Sequence, residues 1–445
     1  MITYSIIQLS QLEGATRFDA EFYEPEYLNF AKQLLKIGEI PLGKITFITD
    51  GQHGYHKVDP TSEIRHITAK NVLHWLVNDD GCDRLSTETH KANKRSMLEV
   101  GDLLISTAGT IGAVGIVQDD ILPANIDQDV ARIHILNQNE LNPNFLLAFL
   151  NSKYGQFQLK RETTGQIQTH VSLDKLKNSI FVPIPNWQTL VANLVKEALA
   201  NLKNSKFLFK QAENLLLEEL GLQDFQLDDS LFFSVNLSDT NSAHRFDADY
   251  FQPKYDKLIS KLGNNLQLLK NIGRRKKFTV KINKDIHYRY IEISDINNST
   301  GEAKYNNIKG NELPANAKMQ IEGGELIISK VRPTRGAIAI IPEDWHNNYV
   351  ASSAFSIFQV QSPTREYLQV ILRSIVGRLQ LVKPTTGTSY PTVTDQDIEN
   401  LIIPILPLAT QQKIADLVKK SHDSRKKSKE LLETAKRKVE KMIEN

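Results

Sequence analysis

Short apolar runs of alternating or β-branched character punctuate the first part of the chain: ITFIT from Ile45, DLLIS from Asp102, AVGIV from Ala113 and ARIHI from Ala131. A second series follows, with RYIEI from Arg289, ELIIS from Glu325, AIAII from Ala337 and FSIFQV from Phe355. Runs of this kind predict strands. Before each series a helix is written: Pro25 stands at a first helical position, Tyr27, Phe30, Leu34 and Ile37 share one face, and Gly38 ends it. Pro253, Tyr255, Leu258, Leu262 and Gly263 repeat that design. After each series comes a long stretch, 186–222 and 408–445, nearly free of Gly and Pro. Each is long enough for about 50 Å of helix at 1.5 Å per residue.

These elements belong to a tandem repeat. RFDAEFYEPEY at Arg17 returns as RFDADYFQPKY at Arg245, with six of eleven positions identical. GDLLIS at Gly101 returns as GELIIS at Gly324, TTGQIQTHVS at Thr163 as TTGTSYPTVT at Thr385, LKNSIFVPIP at Leu176 as IENLIIPILP at Ile398, and ANLVK at Ala192 as ADLVK at Ala415. The offset stays between 222 and 228 throughout. Two copies are too few for a solenoid, so the fold class is α+β, two tandem homologous domains each followed by a long helix. The domains expected are 1–185 and 223–407, with helices at 186–222 and 408–445. Aromatic residues of the opening phrase are expected to dock its short helix onto a sheet.

The long helices share a seam of small residues at heptad spacing, Ala198, Ser205 and Ala212 in the first and Ser421, Ser428 and Ala435 in the second. Leu194, Leu202, Phe209 and Leu216 flank one set, and Leu417, Leu432 and Val439 the other. Small residues every seven positions let helices approach closely, which predicts that the two pair as a coiled coil.

With 445 residues, 40% hydrophobic and 24% charged, the composition is that of a soluble protein large enough for two to four domains. The single Cys82 makes no internal disulfide, and neither a signal peptide nor a membrane span is written, so a cytoplasmic protein that avoids membranes is expected. A net charge of +2 neither announces nor excludes nucleic acid.

Catalytic signatures are weak. GEIPLGKI at Gly38 follows a phosphate-binding loop except at its last position, where Ile45 replaces the Ser or Thr that would hold magnesium. GTIGAVG at Gly109 has a glycine spacing that suits a turn between strands. His53, His56, His66, His74, Cys82 and His90 crowd one region without paired metal-ligand spacing, and the second copy lacks them. No metal site and no catalytic residue is expected.

A binding reading remains, sharpened where the copies differ. RHITAKNV at Arg65 aligns with RYIEISDI at Arg289, keeping Arg65 and Arg289 and the apolar frame while Thr68, Lys70 and Asn71 become Glu292, Ser294 and Asp295. Conserved scaffold with altered polar tips suits two domains reading different base-edge patterns. Arg274, Arg275, Lys276 and Lys277, with Lys330, Arg332 and Arg335, are candidates for phosphate contacts. Turn residues join them as DNA-contact candidates: Gly51, His53, Thr107, Thr110, Thr163, Thr164 and Gln168 in the first copy, and Thr385, Thr386 and Ser389 in the second.

In the order FITDGQHGYH, AKNV, GDLLISTAGTIGAVGIV, TTGQIQTHVSLDKLKN and PIPNWQTLVANLV, and again GELIISKVRPTRGAIAII, TTGTSYPTVTDQDIEN and PLATQQKIADLV, the chain resembles the specificity subunits of type I restriction-modification systems. Gln411 and Gln412 stand in the family's helix start, with Thr410 where a glutamate is usual. The resemblance implies a non-catalytic subunit that binds double-stranded DNA, each domain reading one half of an asymmetric bipartite target. The paired antiparallel helices would fix the unread spacer, with half-sites about one helical turn, ~34 Å, apart. Its implied partners are two methyltransferase subunits and motor-nuclease restriction subunits, and S-adenosylmethionine, ATP and magnesium would sit on those partners. The alternatives are a recognition subunit of another restriction-methylation assembly and a duplicated protein-binding coiled-coil scaffold.

Overall fold

The structure, a computed structural model, describes the chain apart from residues 1–3, 11, 13–16, 55, 110, 164–169, 228–230, 278 and 388. It divides into two compact units, Met1–Leu202 with Lys426–Asn445, and Lys203–Arg425.

In the first unit, α1 (Pro25–Ile37) starts at its proline and stops at Gly38, whose φ of +78° suits a residue without Cβ. Its aromatic face meets a helix rather than the expected sheet. Tyr27 and Phe30 stack edge-on against Phe157, with ring centroids 4.0 and 4.7 Å apart. The larger sheet contains β1 (Thr46–Asp50), β3 (Trp75–Leu76), β5 (Leu103–Ser106), β6 (Val114–Ile116) and β8 (Val130–Ile135), in the spatial order β1-β8-β5-β6-β3. Neighbours are antiparallel except β6 and β3. A smaller sheet is built from β2 (Arg65–Ile67), β4 (Asp83–Arg84) and β7 (Ala124–Ile126), with β2 central. Helices α2 (Pro143–Asn151) and α3 (Lys153–Arg161) bury Phe145, Phe149 and Tyr154 in one core with Leu103, Ile105 and Ile133. Then α4 (Gln188–Glu219) begins.

The second unit repeats this plan. Its helix α5 (Pro253–Lys261) also starts at a proline. One four-stranded sheet runs β9-β16-β13-β14, from β9 (Arg274–Arg275), β13 (Leu326–Ser329), β14 (Ile338–Ile340) and β16 (Phe355–Gln359). The other runs β11-β10-β15-β12, from β10 (His287–Ile291), β11 (Asn306–Lys309), β12 (Ala317–Gln320) and β15 (Tyr349–Ser352). Helices α6 (Thr364–Arg373) and α7 (Ile375–Val382) pack as α2 and α3 do, and α8 (Leu408–Glu444) closes the chain. The glycine in the first turn of the second helix of each pair is fixed by close approach. A Cβ on Gly155 would lie 2.4 Å from the Leu150 Cα, and one on Gly377 would lie 2.3 Å from the Leu372 Cα.

The repeated GDLLIS and GELIIS carry a buried acid. Asp102 accepts from Arg132 Nε at 2.6 Å and from the Glu99 N–H at 2.8 Å, and its other oxygen lies 2.8 Å from His134 Nδ1. Glu325, at the matching place, accepts from Lys276 Nζ at 2.7 Å, the Glu322 N–H at 2.9 Å and Gln359 Nε2 at 3.2 Å. Each acid holds the turn before its strand, and the cation comes from β8 in the first copy and from the residue after β9 in the second.

Both long helices contribute to both units, and within each unit the first part of one packs with the later part of the other, as in an antiparallel pair. Ala198, Ser205, Ala212, Ser421, Ser428 and Ala435 are all buried. In the second unit Ser421 Oγ donates to the Ser205 carbonyl at 2.7 Å and lies 3.0 Å from Ser205 Oγ, a separation open only to small residues. In the first unit Ala198, Leu432, Ala435 and Val439 share one core, and Lys427 pairs with Glu197 at 2.6 Å. The expected α+β fold with paired helices is thus the observed one. A leucine at position 205 overfills this seam, so Ser205→Leu is expected to cost about 1–3 kcal/mol in urea unfolding. An unchanged midpoint would mean the helices do not meet there. Among the described residues no helix is long and apolar enough to cross a membrane.

Candidate nucleic-acid interface

In each unit a strand runs into a tight turn that carries the polar residues differing between copies. After β2, the 3-10 turn Ala69–Asn71 is capped by Thr68; after β10, the turn Ile293–Asp295 is capped by Glu292. Asn71 Oδ1 accepts from the Thr68 N–H at 3.2 Å, and Asn71 Nδ2 donates to the Asp80 carbonyl at 3.1 Å and to Asn78 Oδ1 at 3.3 Å. Asn71 is fully buried, so its expected contact with a base edge is corrected: both ends of its carboxamide hold the turn. Asp295 works alike, accepting from the Glu292 N–H at 2.8 Å and Asn306 Nδ2 at 3.0 Å. Ser294 Oγ donates to Glu292, and both side chains stay exposed. Lys70 is exposed too, donating to the Gly81 carbonyl at 2.9 Å. The tips the turn offers to a ligand are therefore Lys70 in one unit and Glu292 and Ser294 in the other.

The aligned arginine of each of these strands is braced. Arg65 pairs with Asp79 at 2.8 Å, while Arg289 lies 5.0 Å over the ring of Tyr349, itself stacked on Trp345. Two residues that no spacing rule points to lock the segment beyond the turn. In the second unit Arg373 donates to the carbonyls of Asn298 and Ser299 at 3.0 and 2.7 Å, and burial beside Arg425 pushes its pKa down to about 10. In the first, the aligned Asn151 lies 2.7 Å from His74 Nδ1.

Two stretches separated by some sixty residues in sequence meet in the same way in both copies. The Val171 N–H donates to the Thr107 carbonyl at 3.1 Å, and the Val393 N–H to the Lys330 carbonyl at 2.9 Å. Thr163 Oγ1 closes the end of α3 on the Leu159 carbonyl at 3.0 Å, and Thr385 Oγ1 closes α7 on Val382 at 2.7 Å. Thr107 is buried, with its N–H on the Asp129 carbonyl at 2.9 Å. In the second unit Thr386 pairs with Thr392 through the backbone, and Arg332 reaches the Ser389 carbonyl at 3.3 Å while lying 4.3 Å over Tyr390. Arg335 is exposed. The repeated opening phrase joins this junction, since Arg245 donates to the carbonyls of Pro384 and Thr385, both at 3.1 Å. Thr110, Thr164 and Gln168 lie outside the described residues.

Charges sort into two sets. Lys276 is half-buried on Glu325 and so is corrected from a phosphate contact to a core ion pair. Arg275 pairs with Glu399 at 2.7 Å and Asp395 at 3.3 Å, and Lys330 pairs with Asp395 at 3.3 Å. Arg274 and Lys277 are exposed and line a groove of about 770 Å³ with Lys270, Asn271 and Gln359. In the first unit Gly51 owes its identity to packing, for a Cβ would lie 1.8 Å from the Ile126 carbonyl oxygen. His53 Nε2 lies 2.9 Å from Asp50, which also pairs with Arg95 at 3.2 Å. Close by, burial pushes the Asp127 carboxyl up to about 6. That acid at the rim of the first unit was not flagged by the sequence, because nothing in its spacing marks it.

Residues 256–434 match the family of type I restriction modification DNA specificity domains. This match bears out, over most of the second unit and into α8, the resemblance read from the sequence. The chain is 27% identical over 154 residues to the type I restriction enzyme HindI specificity subunit of Haemophilus influenzae, covering 34% of this chain and 32% of that protein. To the EcoBI specificity subunit of Escherichia coli it is 34% identical over 115 residues, covering 25% of this chain and 24% of the relative. It thus spans about a third or less of the length of the curated relatives it matches. The crystal structure of a type I restriction-modification S subunit from M. genitalium aligns over 91% of this chain and 94% of its own, at 13% identity and a TM-score of 0.42.

Proposed function

We propose that the chain is the DNA sequence-recognition subunit of a type I restriction-modification complex. The observation that carries this reading is the repeated junction. Two units hold the same strand, turn and loop frame through matched hydrogen bonds, yet present Lys70 from one turn and Glu292 and Ser294 from the other. A lysine suits the acceptors of guanine and a carboxylate the amino group of cytosine, so each unit would read its own half of a bipartite target. The paired helices would set the unread spacer. The chain itself is non-catalytic in this reading, with S-adenosylmethionine on two methyltransferase subunits, and ATP and magnesium on the motor-nuclease subunits that act with them in the cytoplasm.

Affinity for duplex DNA, titrated against salt, tests the proposal. Phosphate contacts release counterions, so the logarithm of the binding constant should fall linearly with the logarithm of salt. Arg274→Ala with Lys277→Ala should flatten that slope by about 2 and weaken all sequences alike. A duplicated protein-binding scaffold would show no slope at all.

A further inference from the structure

The two copies differ in what they bury against the segment beyond the turn. At the offset of 222 that aligns Gly155 with Gly377, Leu147 of α2 becomes Gln369 of α6 and Asn151 becomes Arg373. At the offset of 223 that aligns the seams of the long helices, Leu199 and Leu202 of α4 become His422 and Arg425 of α8. The first unit fills these places mainly with hydrocarbon, so the fold itself does not demand polar residues there. In the second unit Gln369 has no exposed surface and Arg425 is 5% exposed. Three of these side chains converge on residues 298–301. Arg373 holds the Asn298 and Ser299 carbonyls, and Arg425 Nη1 donates to the Thr300 carbonyl at 3.2 Å. A Cβ on Gly301 would lie 2.7 Å from Arg373 Nη1 and 3.0 Å from Gln369 Nε2, which sets that amide beside the guanidinium.

Donors are left over. Arg373 Nε, Arg425 Nε and both polar atoms of the Gln369 carboxamide are buried without a hydrogen-bond partner. Turning that carboxamide over would offer its oxygen to Arg373 and still leave more donors than acceptors. Among the described residues no carboxylate lies within 4 Å of either arginine. Glu366 is held by Arg365 at 2.7 Å with Lys419 4.0 Å away, and Glu213 pairs with Lys210 at 2.9 Å. The other oxygen of Glu366 is unpartnered, one turn of α6 before Gln369, so a negative guest belongs at the Gln369 end. The uncompensated charge is felt nearby. Burial, with Arg425 and Arg373 outweighing Glu366, pushes His422 down to about 4, and burial pushes Arg425 down to about 10. A buried guanidinium without a counter-charge is costly, and the partner it lacks is an anion. Enclosure decides the class. A phosphate ester or a DNA backbone cannot reach a glutamine with no exposed surface, whereas a small monovalent anion is the one least costly to strip of water.

We propose that the second unit holds one small inorganic anion of the chloride class between Arg373, Gln369 and Arg425, where α6 and α8 meet residues 298–301. The anion neutralises the arginine pair and fixes the segment that follows the turn bearing Glu292 and Ser294. The first unit, with Leu147 and Leu202 at the matching places, holds none.

Thermal unfolding of the full chain in sodium chloride, compared with sodium glutamate at equal ionic strength, tests the site, because glutamate is too large for an enclosed place. The wild type should unfold higher in chloride, by about 3–6 °C at a tenfold excess over the dissociation constant, and the rise should saturate. Gln369→Leu and Arg425→Leu each put the first copy's residue into the site and should lose that rise. Crystals of the wild type grown in bromide give a reading that needs no variant, since an anomalous peak should stand beside Arg373, Gln369 and Arg425. No chloride-specific rise in the wild type, an equal rise in both variants, or bromide crystals without that peak overturns the anion site. None of these results bears on DNA recognition, so the proposed function stands or falls separately on its own salt titration.

Discussion

Replacing Asp102 with alanine is expected to lower the free energy of unfolding by about 3–5 kcal/mol, the cost of stranding one partner of a buried ion pair. The carboxylate is almost completely enclosed, and it serves Arg132, the Glu99 N–H and His134 at once. Without it the Arg132 guanidinium keeps Glu99, an exposed acid 3.0 Å away, and a long bond to the Arg95 carbonyl at 3.4 Å, and the 99–102 turn loses its acceptor. Glu325→Ala should follow the same direction with a smaller loss, because Lys276 reaches Glu325 on a flexible stem and can swing its ammonium to water. Glu99→Ala is the control and should cost about 1 kcal/mol or less, as exposed pairs do. Urea unfolding at neutral pH measures all three. A loss at Asp102 no greater than that at Glu99 would show that the buried pair contributes nothing beyond its surface neighbour.

The same acid shows what was legible in the sequence and what was not. GDLLIS and GELIIS could be recognised as a repeated strand, because the same short aliphatic run returns in each copy, and both strands are buried on both faces. That their second residue is the anchor of an ion pair could not, since its cations lie 30 and 49 residues away. Lys276 therefore read as one member of a basic run, although its charge is spent inside the unit. The seam of Ala198, Ser205, Ala212, Ser421, Ser428 and Ala435 was legible because a seven-residue period is a purely local pattern and burial follows from it. Asn71 and Asp295 carried a signal that was available and misleading. Alignment of variable polar residues suggested base contacts, whereas Thr-x-x-Asn and Glu-x-x-Asp are also the spacing at which a side chain returns to cap its own turn.

That distinction separates two substitutions one residue apart. Lys70→Ala removes an exposed ammonium whose partner is a surface carbonyl, so the turn should survive and the fold should be unaffected. If the lysine addresses a guanine, discrimination at that position should relax by about 1–3 kcal/mol per lost contact. Because Lys70 belongs to the first unit alone, the other half-site should be read as before. Asn71→Ala should behave differently. It leaves the Thr68 N–H and the Asp80 carbonyl without the buried carboxamide that joins them, which costs about 1–3 kcal/mol of stability and loosens reading of the same half-site without replacing one preferred base by another. Competition binding against a library varied in each half-site, beside thermal unfolding of the same preparations, resolves the two effects. If Lys70→Ala instead weakens binding evenly on every sequence, the lysine touches phosphate, and if both half-sites blur together, one unit does not read one half-site.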